Sequence, residues 1–268
     1  MYPLPAYGKE PQMDETNSAS TERTMSAHRE THRPILGRIT PSGSMVRKVL
    51  LALGIVGPLF YVATDILLAT RWKGYSYTDQ TVSELFAIGA PTRPLAVLLM
   101  LTYGVLAIAF GLGVWASAGE KRALRVVAVG LIGKEVLGIL ATLFAPIHLR
   151  EALAAGEGTS SDAWHGILTF GGALCYLLAM GFGATAFGKR FRLYSIATML
   201  ILVAFGVLTG LDQPQLAANL PTPWMGLWER IDIFTTMLWI AVLAITLLRA
   251  QVKRPQDSSN ISSLPSSP

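Results

Sequence analysis

Six apolar runs occupy most of this chain, at about 48–70, 95–117, 123–144, 164–187, 192–210 and 230–249. Each is close to the roughly 20 residues a helix needs to cross a bilayer. A backbone in lipid must satisfy its own hydrogen bonds, which leaves helices as the economical solution for separate apolar runs. The expected fold class is therefore all-α: an integral membrane bundle of six transmembrane helices. Composition agrees, since 51% of the 268 residues are hydrophobic and only 15% charged, with a mean hydropathy of +0.45. That is too apolar for a soluble domain.

The net charge of +5 reads as topology. Arg47 and Lys48 precede the first run, Lys121, Arg122 and Arg125 fill the second turn, Lys189, Arg190 and Arg192 the fourth, and Arg249, Lys253 and Arg254 follow the last. Such residues accumulate in cytoplasmic loops, so both termini are expected inside a cell membrane, with loops one, three and five outside. No basic patch interleaved with aromatics argues for nucleic acid. Residues 1–44 and 251–268, rich in Ser, Thr and Pro, read as disordered cytoplasmic tails flanking a membrane domain at 45–250. No signal peptide is visible, so the first span is expected to act as an uncleaved anchor, and Met45 offers a second translation start beside Met1. The single cysteine, Cys175, falls inside the fourth run and reads as a packed thiol.

The first outer loop carries its own signals. Thr81-Val82-Ser83-Glu84 matches a capping box, and Gly89 can end a turn before Pro91, so a short helix is expected at the interface. Arg71, Trp72, Tyr75 and Tyr77 fit a cationic and aromatic interfacial belt. Gly54, Gly57 and Pro58 are expected to weaken and kink the first helix. Gly130, Gly133 and Gly138 in the third, and Gly206 with Gly210 in the fifth, read as close-packing points, with a homodimer as the alternative use.

Charges inside a membrane are costly and need partners. Asp65 lies in the outer part of the first span, Lys134 and Glu135 near the middle of the third, and Glu229, Arg230 and Asp232 open the sixth. Neighbours on a helix point about 100° apart, so at least one of Lys134 and Glu135 is expected to reach another helix, as an ion-pair network or a polar track. His148, Asp162 and His165 form a candidate metal set, zinc by ligand type, with Asp65 or Glu151 as candidate catalytic bases. Asp162 also suits the N-cap of span four, with His165 at N3. Glu229 and Asp232 also suit an acidic first helical turn. Ser83, Glu84, Arg150, Lys134, Glu135, Glu229, Arg230 and Asp232 are the candidate binding residues, most of them in the outer third.

Several of these stretches carry a resemblance. Gly57-Pro58-Leu59-Phe60 with Asp65, Gly74-Tyr75, Thr81 to Leu85, Gly89-Ala90-Pro91, His148-Leu149-Arg150, Asp162 to Gly166, Trp228 to Ile231 and Trp239 resemble the bacterial six-helix membrane family known as domain of unknown function 998. The Ser83-Glu84-Leu85 loop is its most specific part. The resemblance covers about 48–249 and implies an inner-membrane helical bundle with no activity to transfer.

Three readings of function follow. The first is a non-enzymatic protein binding lipid or a partner through the outer polar cluster. The second is a metal-dependent membrane hydrolase, similar to the ceramidase and progestin-receptor-like superfamily in placing His and Asp at one membrane face, although the motifs of that superfamily do not align here. The third is a small transporter or channel running past Asp65, Lys134 and Glu135. The readings separate by geometry: converging metal ligands, a polar cavity to mid-membrane, or an apolar groove with mutually paired charges.

Overall fold

The computed structural model describes residues 41–261, with side chains over 43–251. The tails expected at 1–40 and 262–268 lie outside the described residues. Among those described there are eight α-helices, and six are long and apolar enough to cross a membrane. The six are α1 (Pro41–Arg71), α2 (Arg93–Ala118), α3 (Arg122–Phe144), α5 (Ser160–Ala186), α6 (Lys189–Leu211) and α8 (Met225–Ile261). Two short helices, α4 (Arg150–Ala154) and α7 (Gln213–Ala217), sit in connections. Helix α1 runs unbroken through Pro58. Helix α8 runs past 250 to Ile261, into the stretch expected as a tail.

The helices start earlier than the apolar runs, and in α5 a polar first turn carries the cap. Helix α5 begins four residues before its run. Thr159 and Asp162 form a capping box there, so Asp162 sits at N3 with Thr159 as the cap, one turn earlier than expected. Helix α8 starts at Met225, which puts Glu229 and Asp232 beyond its first turn and removes the helix-dipole role expected for them.

Large apolar side chains are exposed along the helices. Phe170 is 66% exposed, Leu59 67% and Leu193 68%. In water this would be one large sticky surface, and in lipid it is the expected exterior. Inside, backbones approach closely at small residues. A Cβ on Gly54 would fall 2.4 Å from the Phe110 ring of α2 and 2.8 Å from Ala244 of α8. A Cβ on Gly130 would fall 2.8 Å from the Cys175 carbonyl oxygen, where α3 crosses α5. Among the described residues, Gly206 and Gly210 have no neighbour within 4 Å of such a Cβ, so they show no close packing there. Trp239 of α8 is fully buried and its indole donates to Ser195 of α6 at 2.9 Å.

The connections 72–92, 145–159 and 212–224 meet at one end of the bundle, here called the long-loop end. Ile88 and His148 form an isolated parallel bridge, and the Thr222 hydroxyl donates to the Asp79 carbonyl at 2.9 Å. The short connections 119–121 and 187–188 lie at the other end.

Candidate functional site

The first long loop does not lie along a surface. Its capping box forms, with Thr81 N–H donating to Glu84 Oε2 at 2.8 Å and Glu84 N–H to Thr81 Oγ1 at 3.3 Å. The box opens only a single 3-10 turn, Ser83–Phe86, whose Glu84, Leu85 and Phe86 are buried. The short helix of this loop is that one 3-10 turn, and an ion pair draws its Glu84 side chain into the bundle. Arg150 donates to Glu84 through Nε and Nη2, both at 2.8 Å, and through Nη1 to Thr222 Oγ1 at 3.1 Å. Although burial opposes the charge of Arg150, the Glu84 hydrogen bonds hold its pKa above the ordinary value.

A second pair is more deeply closed. Arg230, 1% exposed, donates to both oxygens of the fully buried Asp65 at 3.0 Å. The rest of its guanidinium is spent on the Tyr77, Gln80 and Gly226 carbonyls at 2.8, 3.0 and 3.1 Å and on the Tyr75 hydroxyl at 2.7 Å. Tyr77 donates to Asp65 at 2.6 Å, and its ring lies 3.7 Å from the guanidinium carbon. Burial and then the Asp65 hydrogen bond push the Tyr77 phenol up to about 12, and burial raises Tyr75 as well. Tyr75 and Tyr77 thus turn inward onto Arg230.

Gly226 explains how the loop gets so close. A Cβ there would meet the Gln80 carbonyl oxygen at 2.1 Å, and Leu227 N–H donates to the Thr78 carbonyl at 2.9 Å. Val82 N–H is held by Glu229 of α8. On the other flank, Thr92 and Arg93 at the head of α2 donate to the Leu85 and Phe86 carbonyls. The turn is laced down on both sides.

The expected metal set separates. His148 donates its backbone N–H to Asp162 at 2.7 Å and pairs its ring Nδ1 with the other oxygen at 2.9 Å. His165 instead places Nδ1 2.8 Å from the Ala145 carbonyl. A carbonyl only accepts, so Nδ1 carries the proton. Among the described residues no group of three His, Cys, Asp or Glu side chains is placed to hold a metal ion, so these residues do not fit a zinc site. Of the candidate bases, Asp65 is locked by Arg230 and Glu151 is exposed on α4.

Beneath the turn lies a cavity of about 210 Å³. Val82, Ser83 and Phe86 form its roof, and α2, α3, α5 and α8 its walls. Residues Glu229, Asp232, Ile233, Thr236 and Met237 of α8 line it at three- and four-residue spacing, the stripe of one helix face. Lys134 and Glu135 lie at its depth with Tyr61, Tyr103 and Tyr176. Lys134 does reach its neighbour Glu135, at 2.9 Å, contrary to the expectation from helical angles; the long flexible stem bridges what the backbone separates. Glu135 also meets another helix, accepting from Tyr176 of α5 at 3.3 Å. The ammonium of Lys134 sits 5.1 Å from the Tyr176 ring centroid and 5.6 Å from that of Tyr103. His165 and Thr142 lie on the wall nearer the roof.

The sequence brought Lys134, Glu135, Glu229 and Asp232 forward as separate groups; the fold puts them on one cavity. Tyr61, Tyr103 and Tyr176 were not singled out. Each lies in an apolar run, where only a hydroxyl facing inward would have marked it. Residues 55–246 match the family described as protein of unknown function (DUF998). No curated protein and no solved structure matches the chain.

Proposed function

From the premise that this chain belongs to the DUF998 family of multi-pass membrane proteins of unknown function, we propose that it is a membrane-embedded binding protein that takes an amphipathic ligand into the central cavity. One observation carries this reading. The roofed cavity is mostly apolar in its walls yet has Lys134, Glu135, Glu229 and Asp232 among its lining, the combination that marks ligand sites. The polar cluster at the long-loop end, by contrast, is closed on itself and serves to hold the roof in place. The Lys and Arg asymmetry supports cytoplasmic termini, which puts the cavity in the outer half of the membrane.

The cavity's reach to Lys134 and Glu135 also favours a second reading, transport. Against it stands the short-loop half of the bundle, where Leu51, Phe110, Val114, Val127 and Leu243 are all fully buried or nearly so. A transporter must open that packing to pass a solute.

The test fills the space. Ala173 lines the cavity, and Ala173→Trp should abolish saturable binding of 1-octanol to delipidated protein in detergent while the thermal midpoint stays close to wild type. Equal, unsaturable uptake by both proteins and by empty micelles would overturn the proposal.

A further inference from the structure

The cavity's charges do not balance, and the imbalance points to the ligand. Lys134 is neutralised by Glu135 at 2.9 Å. Arg230, the nearest other cation in sequence to the acids of α8, is fully engaged by Asp65 and loop carbonyls. Glu229 and Asp232 remain on the cavity wall. Glu229 accepts one backbone N–H, from Val82. Asp232 Oδ1 is buried with no hydrogen-bond partner among the described residues. A carboxyl in such surroundings is stable only when it is protonated or met by a cation.

The same cavity already shows how it holds a cation. Its tyrosine rings flank the Lys134 ammonium at 5.1 and 5.6 Å, a cation–π arrangement that works equally well for alkylated ammonium groups. Tyr61 lines the cavity as well and packs edge-on against Tyr103 with ring centroids 5.0 Å apart. Glu229 and Asp232, three residues apart, share the facing stripe of α8.

We infer that the cavity selects amphipathic ligands with a cationic ammonium head group, which seats against Asp232, Glu229 and the Tyr61 ring while its apolar tail follows the cavity wall. This rests on the cavity being a ligand site at all, as proposed above. An amine supplies the positive charge that the α8 carboxylates lack, and a quaternary ammonium needs no hydrogen-bond acceptor beyond that charge and the rings.

The experiment compares probes that share one tail. Binding of octyltrimethylammonium, 1-octanol and octanoate to delipidated protein in neutral detergent is measured below their micellar concentrations, with tetramethylammonium as the tail-less arm. The expected result is octyltrimethylammonium binding about tenfold more tightly than 1-octanol, the size of a desolvated cation–π and ion-pair gain. Asp232→Asn should bring the two within about twofold by removing that term. Tetramethylammonium competing as well as octyltrimethylammonium would assign the site to free amines; no competition would assign it to membrane amphiphiles. Equal binding of octyltrimethylammonium and 1-octanol, or preference for octanoate, would overturn the ammonium inference and leave the cavity as a binding site. Loss of all four probes, with no difference from Ala173→Trp, would overturn both.

Discussion

The charges at the long-loop end and the charges on the cavity wall sit within one bundle, and they are treated in opposite ways. At the loop end, Asp65 and Glu84 are fully buried, and each meets an arginine at 3.0 Å or closer with two hydrogen bonds. Every spare donor on Arg230 finds a carbonyl or hydroxyl. On the wall, among the described residues, Asp232 keeps a bare oxygen and Glu229 has one backbone donor. Saturated pairs are the mark of architecture: they fix a loop whose backbone would otherwise need water. Unsaturated groups beside a cavity are the mark of a site, because their stabilisation is left for something that enters.

The sharpest way to break this contrast is Arg230→Ala. It leaves Asp65 uncompensated in a dry pocket and should cost on the order of 3–5 kcal/mol, read as a large fall in the thermal midpoint in detergent; an unchanged midpoint would make the pair decorative. Arg150→Ala should cost about 2–3 kcal/mol, since Glu84 keeps its hydrogen bonds from Thr81 and Gln80 when the guanidinium is gone. Gly130→Ala tests packing away from both regions. Its new Cβ meets the Cys175 carbonyl at 2.8 Å, and the crossing of α3 and α5 should lose about 1–3 kcal/mol.

Tyr77 gives a smaller, pH-dependent effect. Its phenol is raised from 10.0 to about 12 in the folded protein, by burial and then by the Asp65 hydrogen bond. A raised pKa contributes stability that is complete below the unfolded value and is lost as pH climbs through the folded one. Alkaline unfolding of wild type should therefore steepen between pH 10 and about 12 relative to Tyr77→Phe. The smallest effect is expected from Asp232→Asn. It should change the thermal midpoint by an amount corresponding to no more than about 0.5 kcal/mol, because Oδ1 has no partner to lose. A fall as large as that of Arg150→Ala would move Asp232 into the architectural group and remove the contrast.

Local signals in the sequence were reliable where neighbours in the chain decide the outcome. The Thr81 to Glu84 capping box forms, and Gly89 takes a positive φ of 93°. They failed where a distant helix decides. Ser83–Phe86 became a turn with Glu84, Leu85 and Phe86 buried because Arg150, 66 residues away, claims Glu84. Tyr75 and Tyr77 turn onto Arg230, 155 and 153 residues away. His148 and His165 look equivalent in sequence, yet one meets a carboxylate and the other a carbonyl, and that difference dissolves the metal set.

The sequence by itself determined that this protein lives in lipid as six helices. Length, hydropathy and the backbone's need for internal hydrogen bonds admit no other solution for such runs, and the family's loop motif is written in consecutive residues. Only the tertiary structure decided which charges are spent and which are spare. That distinction depends on which atoms from α1, α3, α5 and α8 come within hydrogen-bond distance, about 3 Å, and spacing along a chain does not encode distance between helices.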